Sequence, residues 1–189
     1  MRTLSCLAIT LLFAGAIMAA ETPIDKGSMI IGGTAYFMNQ SGDLYESGGE
    51  ALATIAIAPT VGYFVAPNIM IGGKIDFLSW SRGGISHTYW TAGPVVGYYF
   101  NLDQTRTEAK GAIYPYLLAF FMYGQESNSS GADLMAYGGQ GGAMFMLSNA
   151  VGVEAGVRFQ SESYKPEGAD ESTTGTTLMV GAGITAFLW

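Results

Sequence analysis

Past the first twenty positions, hydrophobic and polar residues alternate along the chain with a period of two. From 53 to 63 one parity carries Ile55, Ile57, Pro59, Val61 and Tyr63, and the other carries Thr54, Ala56, Ala58, Thr60 and Gly62. Successive side chains of a strand point to opposite faces, so this stretch predicts a strand with one apolar face. The pattern returns from 69 to 77, where Ile69, Ile71, Ile75 and Phe77 oppose Gly72, Lys74 and Asp76. It returns again from 90 to 100, with Trp90, Ala92, Pro94, Val96, Tyr98 and Phe100 against Thr91, Gly93, Val95, Gly97 and Tyr99. From 151 to 160, Val151, Val153, Ala155, Val157 and Phe159 oppose Gly152, Glu154, Gly156, Arg158 and Gln160. Four further segments, 28–39, 113–124, 134–147 and 174–189, complete a set of eight strands. The fifth, around 114–123, is apolar on both parities, which leaves its faces open. After residue 21, Gly and polar residues interrupt every apolar run too soon for a spanning helix.

Alternation alone does not say which face looks outward, since a soluble ligand-binding barrel of lipocalin type would carry the same pattern with its apolar set inside. The second parity settles the expectation. There glycine and threonine accompany a few ions, as a narrow lumen filled by its own side chains requires, whereas a solvated exterior would be rich in Lys and Glu. Composition agrees: charged residues are 12% of the chain while hydrophobic residues reach 49% and glycines number 27, a balance suited to a protein whose outside faces lipid. The expected fold is therefore all-β, an eight-stranded antiparallel up-and-down transmembrane β-barrel. Strands with apolar cores of about ten residues, tilted near 45°, span an apolar band of about 25 Å.

The connections alternate in length. Segments 40–50, 81–86, 125–133 and 163–173 are long or polar, 65–68 and 148–149 are tight turns, and 101–112 is longer than a turn. Membrane barrels of this kind keep short turns on the periplasmic side and long loops outside, which places both termini in the periplasm. Tyr36, Phe37, Tyr63, Phe64, Trp80, Tyr89, Trp90, Tyr99, Phe100 and Trp189 lie near strand ends and are expected in the aromatic girdles at the two interfaces.

The opening residues describe an export signal. Arg2 is the only charge before Glu21, an apolar run follows from Leu4 to Met18, and small residues close it at Ala19 and Ala20. The expected division is a signal peptide over 1–20 and a barrel domain over 21–189. Cleavage there removes Cys6, so the mature chain would hold no disulfide; too little apolar chain precedes Cys6 for it to be a lipid-modified export site. Loss of Arg2 takes the net charge from −7 to about −8, which argues against a nucleic-acid partner.

At this point the chain resembles the small outer-membrane β-barrel domain family that includes OmpX-like and opacity-type surface proteins. The features that carry the likeness are the glycine-and-aromatic strands, the phrase Val61-Gly62-Tyr63-Phe64-Val65-Ala66-Pro67-Asn68 at the first tight turn, and the ending Phe187-Leu188-Trp189. The resemblance implies residence in the outer membrane of a Gram-negative bacterium, beside its lipid and lipopolysaccharide. It also implies a surface or envelope-integrity role, a possible host or surface ligand, and a C-terminal signal to the outer-membrane assembly machinery, here Phe187 and Trp189. In the family the final residue is usually Phe; this chain has Trp189 there.

Candidate chemistry is sparse. Lys74, Asp76, Glu154 and Arg158 share the lumen parity of the third and seventh strands, and buried ions are costly unless paired, so they are expected to form a charge network that fills the barrel. His87, the only histidine, has Ser86 and Thr88 beside it; a lipid A-modifying enzyme would use such a His, but no motif accompanies it, and a polar rim residue is the reading adopted. Asp43, Glu46, Glu50, Glu126, Asp133, Glu167, Asp170 and Glu171 make the expected outer loops acidic, without the spacing of a calcium loop. Gly138-Gly139-Gln140-Gly141-Gly142 has neither the Lys nor the helix of a phosphate loop and reads as a close strand approach or a bend. No catalytic residue, metal site or cofactor is assigned; a small passive channel is the main alternative function.

Overall fold

The alternation becomes eight strands: β1 (Met29–Ser41), β2 (Ile55–Ala66), β3 (Ile69–Arg82), β4 (Ile85–Tyr99), β5 (Ile113–Glu126), β6 (Asp133–Met146), β7 (Val151–Lys165) and β8 (Thr173–Leu188). The structure is a computed structural model that describes residues 22–41, 55–82, 85–103, 105, 108–126, 133–165 and 171–189. Each strand pairs antiparallel with its chain neighbour, and β1 pairs with β8 from Met29↔Leu188 to Ser41↔Thr176, so the sheet closes into a barrel. Closure leaves no open edge, the condition for strands to cross hydrocarbon without unpaired backbone groups.

The two parities separate inside from outside. Ile57 is 58% exposed and Val157 48%, while Lys74 is 3% and Arg158 1%. On β8 the outward set runs Leu178, Val180, Ala182, Ile184, Ala186, Leu188. Ten steps of about 3.3 Å from Leu178 to Leu188, tilted by about 40°, rise about 25 Å, the height of an apolar membrane band. Beyond Leu178 the same face changes to Thr176 and Thr174, and on β7 the face changes after Phe159 to Ser161, Ser163 and Lys165. Outward-facing Phe37, Phe77, Trp90, Tyr123, Tyr137 and Phe159 mark this boundary. There the Tyr123 hydroxyl donates to the Asp133 carboxylate at 2.7 Å.

Several aromatics expected in the girdles turn inward instead. Tyr36, Phe64 and Tyr99 are buried, and Tyr89 packs against the inner residues near Leu78 and Met179. An aromatic ring suits an interface and a lumen equally, so residue type did not separate the two. β5 now has faces: Tyr114, Tyr116, Phe120 and Met122 are buried, while Ile113, Leu117, Phe121 and Tyr123 are exposed. The strands also run further than expected at the loop end. β3 continues to Arg82 and β4 begins at Ile85, with Ser81 paired to Ser86, so little of the expected 81–86 connection remains outside strands. Polar residues there join the same ladder as the apolar ones.

The opposite end is closed by chain. The segment before β1 crosses beneath the barrel: the Gly27 amide donates to the Phe64 carbonyl at 2.9 Å, and the Asn68 amide to the Ile24 carbonyl at 2.8 Å. This sets Ile24 fully buried among Phe64, Tyr99, Met146 and Phe187. Asn68 holds φ at 69°, a left-handed turn position that Asn tolerates. The 101–112 connection tucks Ala109 and Ala112 into the same cluster, with the Gly111 amide donating to the Met146 carbonyl at 2.8 Å.

Candidate functional site: a polar layer across the lumen

β3 places Lys74 and Asp76 two residues apart, hence on one face, and β7 places Glu154 and Arg158 four apart, also on one face. Closure turns both faces inward. Arg158 and Asp76 then meet across the lumen as a two-point pair, Nη1 to Oδ1 at 2.9 Å and Nη2 to Oδ2 at 2.5 Å. Such a fork is the strongest form of ionic hydrogen bond, and it joins two residues that are both almost wholly buried.

Lys74 takes different partners. Its Nζ donates to the Tyr36 hydroxyl and to Gln140 Oε1, each at 3.0 Å. The Tyr36 hydroxyl in turn donates to Gln140 Oε1 at 2.6 Å, and Gln140 Nε2 donates to the Tyr116 hydroxyl at 3.0 Å. Both cations also lie over aromatic faces. The Arg158 guanidinium carbon is 4.1 Å from the Phe120 centroid and 5.6 Å from that of Tyr36, while Lys74 Nζ is 5.1 Å from Tyr36 and 5.7 Å from Phe120. Ring faces are negative, so these contacts replace part of the lost hydration of two neighbouring positive charges.

Glu154 stands apart from the Arg158–Asp76 pair and accepts from the Thr34 hydroxyl. It is half-buried, nearer the closed end. The four sequence-expected residues thus share the lumen but form one direct ion pair, with Lys74 and Glu154 held by neutral groups. Two basic and two acidic side chains face the lumen. Towards the loop end a second group gathers, where Glu162 accepts from Gln160 and, at 3.0 Å, from the Thr177 hydroxyl.

The sequence placed Tyr36 at an interface and did not assign Tyr116, Phe120 or Gln140 to the lumen layer. Gln140 was hidden in its glycine run, although its parity, flanked by outward Gly139 and Gly141, was a usable signal. Its neighbours in the layer are the reason a polar side chain stands among glycines. His87 lies in β4, paired in register with Trp80; its side chain lies outside the described residues. So do residues 1–21, Asp43, Glu46, Glu50, Glu167 and Asp170. Phe187 is buried in the cluster at the closed end, and Trp189 packs against that cluster with its Nε1 donating to the Asn149 carbonyl at 3.0 Å.

No protein-family model matches the chain, and no curated protein matches it. Solved structures do. Neisserial surface protein A (NspA) aligns over 85% of this chain and 99% of its own at 15% identity, with a TM-score of 0.65. The outer membrane protein OprG from Pseudomonas aeruginosa aligns over 88% of this chain and 99% of its own at 12% identity, with a TM-score of 0.50. The fold is that of small outer-membrane barrels. At these identities the likeness concerns the fold alone.

Proposed function

We infer that this chain is an integral outer-membrane β-barrel, plugged by its own side chains, with a structural or surface-interaction role displayed through acidic loops. The observation that carries this reading is the inversion of polarity. Every outward position of β8 from Leu178 to Leu188 is apolar, while Lys74, Asp76 and Arg158 are buried. A water-soluble barrel would have no reason to expose so much apolar wall and bury so many ions. The tight turns at 66–69 and 147–150, the segment 22–28 and the C-terminal Trp189 share one end of the barrel, which supports a periplasmic placement of that end. Lipid and lipopolysaccharide are then its immediate surroundings, and Phe187 with Trp189 the ending offered to the insertion machinery.

The plug follows from the side chains that meet across the lumen. Arg158, Tyr36, Tyr116 and Gln140 bond one another or their neighbours from β1, β3, β5, β6 and β7, and Ile24 with Phe64 fills the end below. An eight-stranded barrel has room for little more. Membrane fractionation with heat-modifiable gel migration tests the location and the barrel together: the expected result is a membrane-fraction protein whose unboiled form migrates apart from its boiled form. Recovery in the aqueous fraction without detergent would contradict it. Planar-bilayer recordings should lack large, stable openings; their presence would favour a passive channel. An altered lipid A mass profile on His87→Ala would instead favour an enzyme.

A further inference from the structure

The outer wall carries a concavity of about 730 Å³ across β2 to β5, within the range of small-molecule sites. Its sides are Val61, Ile71, Val96 and Phe121, and its floor reaches Phe120. Two local features make it. Gly73 is outward-facing and has no side chain, with Ile71 and Ile75 standing on either side along β3. Beside it, Pro94 has no N–H to give to β5, and the β4–β5 ladder skips from Ala92↔Tyr123 to Val95↔Phe120 without a change of register. The seam is therefore short of backbone hydrogen bonds, and Phe120, which lines it, carries its ring on the lumen side, where the Arg158 guanidinium rests at 4.1 Å from the ring centroid.

We propose that this groove is a binding site for a single acyl chain of a phospholipid from the leaflet at the closed end of the barrel. The inference rests on the membrane reading above. Its occupant follows from position: the groove lies within the apolar band, below the aromatic boundary of Phe77 and Trp90, and extends to Met29 and Tyr63 near the closed end. At that depth no water or polar ligand is at hand, and an unfilled hollow would forfeit dispersion contacts along its whole lining. A tail lying there covers the interrupted β4–β5 ladder.

Gly73 allows a clean test. A Cβ at that position meets nothing closer than the Gly93 carbonyl at 4.0 Å, so Gly73→Leu fills the groove without disturbing the backbone. The protein is reconstituted with phosphatidylethanolamine, extracted in mild detergent and examined by native mass spectrometry. A one-to-one lipid adduct is expected in the parent protein and in Val180→Leu, which enlarges an outward residue on β8 away from the groove. The adduct should fall by about tenfold in Gly73→Leu, and likewise in Ala119→Leu, which fills the groove from the other side. An adduct undiminished in both groove variants, or none in the parent protein, overturns the proposal. Failure of the parent protein to insert into vesicles would instead overturn the membrane reading, so the two are told apart.

Discussion

Arg158 on β7 and Asp76 on β3 stand 82 residues apart in sequence and meet as a two-point ion pair in the middle of the barrel. Neither strand neighbours the other in the sheet. The pair is thus a strut across the lumen, and removing one end leaves the other charge buried without its counterion. Asp76→Ala should lower stability by about 3–5 kcal/mol, whereas replacing both residues by apolar ones, Asp76→Leu with Arg158→Met, should recover most of that loss. Urea unfolding of the folded protein in lipid vesicles reads both values. Equal losses in the single and double variants would contradict the claim that an unpaired, buried Arg158 causes the loss.

The outer face should tolerate charge according to depth. Val180 and Thr174 share the outward face of β8, one inside the apolar band and one beyond it. Val180→Arg is expected to cost about 2–4 kcal/mol and Thr174→Arg about 0–1 kcal/mol. The same vesicle unfolding assay checks the difference, and equal costs would place the band elsewhere.

Much of this arrangement was legible in the sequence because its strands alternate a large apolar residue with glycine, threonine or an ion. Where that contrast fails, the reading failed too. On β5 the inward residues Tyr114, Tyr116, Phe120 and Met122 are as apolar as the outward Ile113, Leu117 and Phe121, because the closed end of the lumen is itself an apolar core. Polarity cannot separate two apolar environments. Tyr36 looked like an interface residue for a related reason: a tyrosine offers both a ring and a hydroxyl, and only the meeting of β1, β3 and β6 shows that its hydroxyl serves Lys74 and Gln140. The pairing of Asp76 with Arg158 rather than Lys74 with Glu154 depended on distances across the barrel that spacing along the strands does not contain.

One glycine has a specific task under that tyrosine. A Cβ at Gly181 would stand 2.5 Å from Tyr36 Cδ1 and 2.7 Å from the Ala35 carbonyl, so the ring lies flat on bare backbone. Gly181→Ala should destabilise the barrel by about 1–3 kcal/mol, the range for overpacking, although it adds one methyl group. Gly33→Ala, where the nearest atom would be Pro59 Cα at 3.7 Å, should be close to neutral. Thermal shift of heat-modifiable migration distinguishes them; a neutral Gly181→Ala would mean that the ring has another place to go.

The closed end should depend on Ile24, which fills it from outside the strands. Ile24→Ala removes a fully buried side chain and should cost about 2–5 kcal/mol, more than truncating the exposed Leu102. Comparable unfolding midpoints for the two variants would show that the segment before β1 does not contribute to the core.

Spin-label accessibility along the wall addresses the orientation of the two faces most directly. The expected mature chain has no cysteine of its own, so single labels can be placed at 57, 157, 180 and 182 on the outward face and at 177 and 185 on the inward one. Labels at the outward positions should collide with oxygen dissolved in hydrocarbon, and those at Thr177 and Thr185 should be shielded from it. If the inward labels were the oxygen-accessible set, or if a water-soluble nickel chelate reached 157 and 180 freely, the apolar wall would not face lipid.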